Sequence, residues 1–191
     1  MKRLLLILIL TLSFQSLAKA DDIRDFEIEG ISIGDSLLKH YSKNVLDNIE
    51  KYYYPNSKKM VGLYSQVFNK NLNNYDAIQF SVTPDNYRIE AIAGLNYEFE
   101  NKKKECYREM EKIFDEIQSL FPNSKTVKEK ESSHEADVSG KSVSKIYRIN
   151  LNNGYIRVTC TDWAKEMSNT DSLKISIHTT KHIDWINNEA Y

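Results

Sequence analysis

The sequence predicts an α+β fold in which two helix-plus-three-strand units form antiparallel sheet with the helices packed on one face. Three observations predict it. Apolar and polar residues alternate over residues 75–82 and again over 87–99, the period of a strand with one buried face. A second set of alternating runs begins at Val143. Between the two sets, Cys106, Met110, Ile113, Ile117 and Leu120 recur at helical spacing. The composition, 41% hydrophobic and 28% charged over 191 residues, suits a globular chain and excludes a collagenous or wholly disordered one.

Residues 1–20 read as a cleaved signal peptide. Met1-Lys2-Arg3 gives a positive start, residues 4–14 an apolar run, and Ala18 and Ala20 a small-x-small cleavage site. An 11-residue apolar run is too short to span a bilayer, which needs roughly 20 residues. No second long apolar run follows, so no stable membrane anchor is expected after signal removal. Residues 21–191 then form a single α+β domain, expected to be periplasmic or secreted. Loss of Lys2, Arg3 and Lys19 leaves 23 basic and 27 acidic side chains. A net charge of −4 gives no electrostatic reason to bind nucleic acid or anionic lipid.

The elements follow in order. Residues 21–29 form a lead-in with Phe26 and Ile28 alternating, and Gly30 and Gly34 bracket Ile31 and Ile33. Asp35 and Ser42 are candidate caps for two short helices, or one bent helix, over residues 36–50. The run Tyr52-Tyr53-Tyr54-Pro55-Asn56 reads as a turn-like break. Strands are expected over 61–69, 75–82 and 87–99, with Pro84-Asp85-Asn86 as a turn and Gly94 as a bulge. A helix over 102–121 ends at Pro122, although Lys102, Lys103 and Lys104 oppose its dipole. Residues 123–142 are a polar segment expected to be a mobile connection. Strands bearing Tyr147 and Ile149, then Ile156, Val158 and Cys160, then Leu173, Ile175 and Ile177 follow, with a hairpin turn at 150–154. A short helix over 181–188 closes the chain, capped by Thr179 or Thr180.

Cys106 and Cys160 are the two cysteines. In an oxidising compartment they are expected to form a disulfide tying the long helix to an inward strand face. Two buried free thiols are the other reading.

Motifs for catalysis are thin. SGKS at 139–142 resembles the end of a phosphate-binding loop, but Glu135 stands where that motif needs glycine. His134, Asp137 and Ser139 have the residue types of a hydrolase triad, yet lie on one polar loop without a G-x-S-x-G elbow. His178, His182 and Asp184 in HTTKHID are the candidate metal ligands, placed at a strand-to-helix corner where they could converge. HExxH, CxxC and EF-hand patterns are absent, and no cofactor is expected. Aromatic residues carry the stronger binding signal. Tyr52, Tyr53 and Tyr54 are hard to bury together, and Trp163 follows Asp162 at a strand end. These four are the candidate binding surface, since exposed tyrosine and tryptophan favour recognition.

At the runs GISIGDSLL, ECYREMEKI, SGKS and CTDW the chain resembles uncharacterised exported, periplasmic proteins of AT-rich marine bacteria. The likeness covers most of residues 26–186 and implies no activity. Its element order is also similar to small periplasmic accessory and inhibitor proteins, in topology alone. The function expected is that of an exported, non-catalytic binding or accessory module whose partner is an envelope protein or a small ligand. The rival is a small periplasmic hydrolase, metal-assisted or not, using His178, His182 and Asp184 or the His134 loop.

Overall fold

The computed structural model describes residues 22–191, so the predicted signal peptide lies outside the described residues. The chain is a mixed α+β structure made mainly of sheet. A small hairpin, β1 (Glu27–Ile28) and β2 (Ile31–Ser32), precedes helix α1 (Lys43–Asn48). Then come β3 (Lys51–Tyr53), β4 (Val61–Tyr64), β5 (Ala77–Val82), β6 (Ile89–Asn96) and helix α2 (Lys103–Leu120). The second half holds β7 (Lys125–Lys128), β8 (Ser132–Ser133), β9 (Val143–Leu151), β10 (Gly154–Asp162), β11 (Ser172–Thr179) and helix α3 (Thr180–Asn188). Strands β3 to β11 form one antiparallel sheet in the order β3-β4-β5-β6-β11-β10-β9-β7, with β8 on the far end of β9.

One face of this sheet is the core. Ile78 and Phe80, Ile92, Leu173, Ile175 and Ile177, and Ile156, Val158 and Cys160 point to it from four neighbouring strands. Helix α2 lays Cys106, Met110, Ile113, Phe114 and Ile117 over it, and the N-terminal segment adds Ile28, Leu37 and Leu46. Each such side chain contributes about 1.5–3 kcal/mol on burial. Cys106 and Cys160 are disulfide-bonded with Cα atoms 6.0 Å apart, joining α2 to β10. Of the lysines at the start of α2, Lys103 finds carboxylates on neighbouring segments, and Lys102 donates to the Glu98 carbonyl. Lys103 Nζ lies 3.3 Å from Asp162 and 3.5 Å from Glu131, which offsets its unfavourable place in the dipole.

Several elements differ from the sequence expectation. The expected strand over 61–69 stops at Tyr64, because Ser65 accepts a hydrogen bond from Val67 N–H and starts a 3-10 turn over Gln66–Asn69. The tyrosine run is not a turn: Tyr52 and Tyr53 belong to β3, a fourth strand in the first half of the sheet. Residues 123–142 carry β7 and β8. Their last turn is organised by the buried Asp137 carboxylate, which accepts from Ser139 N–H and from both Ser142 N–H and Oγ–H. The two halves are therefore not matching helix-plus-three-strand units. Nor do all helices share a face. Helix α3 packs on the side opposite α2, because its apolar residue Trp185 docks with Tyr54 and Met60 rather than with the main core. Its cap, Thr179, donates to the buried Glu90 carboxylate at 2.9 Å, which also receives Lys181.

Strands β9 and β10 join through Asn152 and Asn153, and the residue after this turn is under a tight constraint. A Cβ on Gly154 would lie 2.0 Å from the His178 carbonyl oxygen. Gly154→Ala should therefore destabilise the fold by about 1–3 kcal/mol, the cost of forcing atoms into a packed site. A urea midpoint unchanged by the substitution would contradict this contact.

Candidate ligand-binding site

The face of the sheet opposite α2 is not a simple solvated surface. Strand register aligns its side chains in rows across the sheet. One row runs Tyr64, Gln79, Ala93, Ser176, Arg157, Arg148. The next runs Gly62, Ser81, Ala91, His178, Tyr155, Asn150. Lys174 lies one row beyond, between Leu95 and Thr159. Small residues meet where β5, β6 and β11 adjoin, with Ser81, Ala91, Ala93 and Ser176. Larger ones flank them: Tyr64, whose ring covers Gly62, on the β4 side, and Arg157, Arg148 and Tyr155 on the β10 and β9 side. That size profile leaves a hollow, which α3 bounds with His182 and Ile186 and which Tyr54 and Tyr191 also line. The cavity measures about 350 Å³, roughly the volume of a dozen water molecules.

Its electrostatics are one-sided. Arg157, Lys174, His178 and His182 line it, and no aspartate or glutamate does. Neither Arg157 nor Lys174 makes an ion pair with any of the described residues. Arg157 Nε is buried without a hydrogen-bond partner, as are Ser81 Oγ and Thr159 Oγ1 on the same face. Burial, and then the Arg157 guanidinium, brings the Lys174 ammonium down to about 8, so it is still largely charged at pH 7. Burial holds His178 well below the usual imidazole range, with Arg157 adding to the effect. Burial also lowers His182 to about 4, against the opposing pull of Glu90. At neutral pH the site thus holds two cations and two neutral imidazoles.

His178 is the hub. Its Nε2 is 3.0 Å from Ser176 Oγ, its Nδ1 is 3.3 Å from His182 Nδ1, and its ring centroid is 4.7 Å from that of Tyr155. The Ser176–His178 contact pairs a hydroxyl with a base, the elements of nucleophilic catalysis. Ser176 is, however, only 1% exposed, which leaves little room for a substrate carbonyl at its oxygen.

The expected site residues fall in three places. Of the candidate metal ligands, His178 and His182 are brought together, while Asp184 is exposed on the outer side of α3. Their Nδ1 separation would also suit two ligands of one tetrahedral ion. Among the described residues, though, no group of three or more His, Cys, Asp or Glu could hold a metal, and the adjacent Arg157 and Lys174 repel one. The tyrosine run divides: Tyr54 is buried in the cavity wall, Tyr52 is exposed beside it, and Tyr53, paired with the core residue Val61, is exposed on the other face of the sheet. Trp163 is elsewhere. Its ring lies tilted against that of His134, with centroids 4.2 Å apart, and its backbone N–H donates to Asp171. In that loop His134 Nδ1 accepts from Ala136 N–H and Asp137 is engaged with Ser139 and Ser142, so no triad forms.

Sequence reasoning missed Arg157, Lys174, Ser176 and Tyr64. The signal was present: the positions alternating with the apolar ones on β10 and β11 read Tyr155, Arg157, Thr159, then Lys174, Ser176, His178, with no acid among them. No protein-family model matches the chain, and no curated protein or solved structure matches it either.

Proposed function

We propose that the protein is an exported, non-catalytic binding module that takes a small anionic ligand in this cavity. The observation that carries the reading is the pairing of Arg157 and Lys174 in a hollow without a carboxylate side chain. Two adjacent cations, one with a buried and unsatisfied N–H, are costly unless a counter-charge joins them. Export is supported by the leader-like residues 1–20 and by the bonded Cys106–Cys160 pair, which is compatible with an oxidising compartment. No helix among the described residues is long and apolar enough to cross a membrane. An envelope protein is the second partner class. The exposure of Tyr52 (45%) and Tyr53 (54%) on the edge strand favours it.

Thermal unfolding with added inorganic phosphate tests the reading. Phosphate at 100 times its dissociation constant should stabilise the wild-type protein by about 2.7 kcal/mol. Arg157→Gln and Lys174→Met should each lose most of that gain, and zinc should give none. Equal phosphate gains in wild type and both variants, or a zinc gain abolished by His182→Gln, would reject the anion site.

A further inference from the structure

We infer that the ligand is a small aromatic acid lying across the strands, its oxyanion on Arg157 and Lys174 and its ring against Tyr54, Tyr64 and Tyr191. This rests on the anion reading above and adds a second recognition element to it. The cation end and the tyrosine end belong to one cavity. Between them stand the short side chains of Ala91, Ala93 and Ser81, with the longer Gln79 next to Tyr64. Strands lie about 4.8 Å apart, so the three steps from Lys174 on β11 to Tyr64 on β4 span about 14 Å. Inorganic phosphate fills only the basic part of that length.

The tyrosine end is built as a wall. The Tyr54 ring lies edge-on to those of Tyr52 and Tyr191, with centroids 5.0 and 5.4 Å apart. The Tyr64 ring folds back over Gly62, where a Cβ would come within 3.0 Å of its hydroxyl. Ring faces and edges held in this way favour an aromatic guest over an alkyl one. Midway along the floor, Ser81 is buried and its hydroxyl has no partner, so it can hydrogen-bond a polar atom of the spacer. The division of labour follows the usual one in ligand pockets, where apolar surface supplies affinity and a few polar groups fix orientation.

Calorimetric titration of the full chain with butyrate, 4-phenylbutyrate and 4-phenylbutyramide tests this inference. The phenyl acid should bind at least tenfold more tightly than butyrate, and the amide at least tenfold more weakly than the phenyl acid. Tyr64→Ser should reduce the phenyl advantage to less than threefold. Tyr191→Ser, at a position 68% exposed and outside the main core, should reduce it in the same direction. If butyrate and 4-phenylbutyrate bind equally and both are lost in Arg157→Gln, the aromatic inference fails and the anion reading stands. If neither acid nor phosphate binds, both fail.

Discussion

Replacing Cys106 and Cys160 together with alanine is expected to lower the unfolding free energy by about 4 kcal/mol. The bond closes a separation of 54 residues. In the chain-entropy treatment, a loop of that size removes about that much conformational freedom from the unfolded state. It also spans two layers, since Cys106 is on α2 and Cys160 on the strand beneath it, both within the main core. A typical domain is stable by only about 5–15 kcal/mol, so the variant should unfold at a far lower denaturant concentration. Guanidinium denaturation of the oxidised protein and the double variant measures the difference. A loss below 1 kcal/mol would mean that the bond is incidental to the layering.

The second large effect concerns acid. Stability should fall as pH drops from 6.5 to 4, ahead of ordinary acid denaturation. In the folded chain the imidazoles of His178 and His182 are held neutral, His182 to about 4 and His178 well below its usual range. In the unfolded chain each takes up a proton near pH 6.5. Between the two values the unfolded state binds more protons, so the slope of unfolding free energy against pH is positive there. Their contribution is complete above pH 6.5 and is lost as pH falls toward the folded values. For His182 alone the loss approaches about 3 kcal/mol. The groups facing His178 are Arg157, Lys174, Tyr155, Ser176 and His182; those facing His182 are His178, Glu90, Arg157 and Trp185. Asp22 and Asp137 begin to lose their contribution only near their ordinary value of 3.8, below this window, whereas Glu111, Glu131 and Glu166, whose ordinary value is 4.5, add to the loss at its lower end, and His134, also lowered by burial, adds to it from pH 6.5 downward. The double variant His178→Gln/His182→Gln should therefore flatten the curve between pH 4 and 6.5. An unchanged slope would show that the histidines are not buried as a pair.

The legible parts of this fold were those with strict periodicity. The long helix over α2 and the alternation of β5, β6, β10 and β11 follow from apolar spacing, because one buried face imposes a period of 2 or 3.6 on the residues, and the cysteine pairing followed from there being two cysteines behind a leader-like segment. The terminal helix was legible for a similar local reason, and of its two candidate caps, Thr179 and Thr180, Thr179 is the one used. Its side of the sheet was not. Trp185 chose Tyr54 and Met60, a contact across about 130 residues that no local pattern encodes. The tyrosine run was read as a break because Pro55 follows it, while pairing of Tyr52 with Gly62 and Tyr53 with Val61 made it an edge strand.

The candidate site was legible in fragments. His178 and His182 stood out because histidines four apart invite a metal reading. What the sequence concealed was strand order. Placing β11 between β6 and β10 sets Ser176 beside Ala93 and Arg157, and only that register turns scattered polar residues into a basic hollow with a small-residue floor. Asp184 and Trp163 were drawn to the site by sequence proximity and by residue type. The helical phase turns the first outward, and the end of β10 carries the second to the His134 loop.

The central claim is that an oxyanion sits against Arg157. The most direct measurement is a phosphate titration followed through the arginine Nε–H resonances of the isotope-labelled protein. Arg157 should shift and saturate with the dissociation constant found by thermal unfolding, while Arg24, Arg88 and Arg108, none of which lines the cavity, stay in place. A still Arg157 resonance, or shifts shared evenly among all the arginines, would contradict the account.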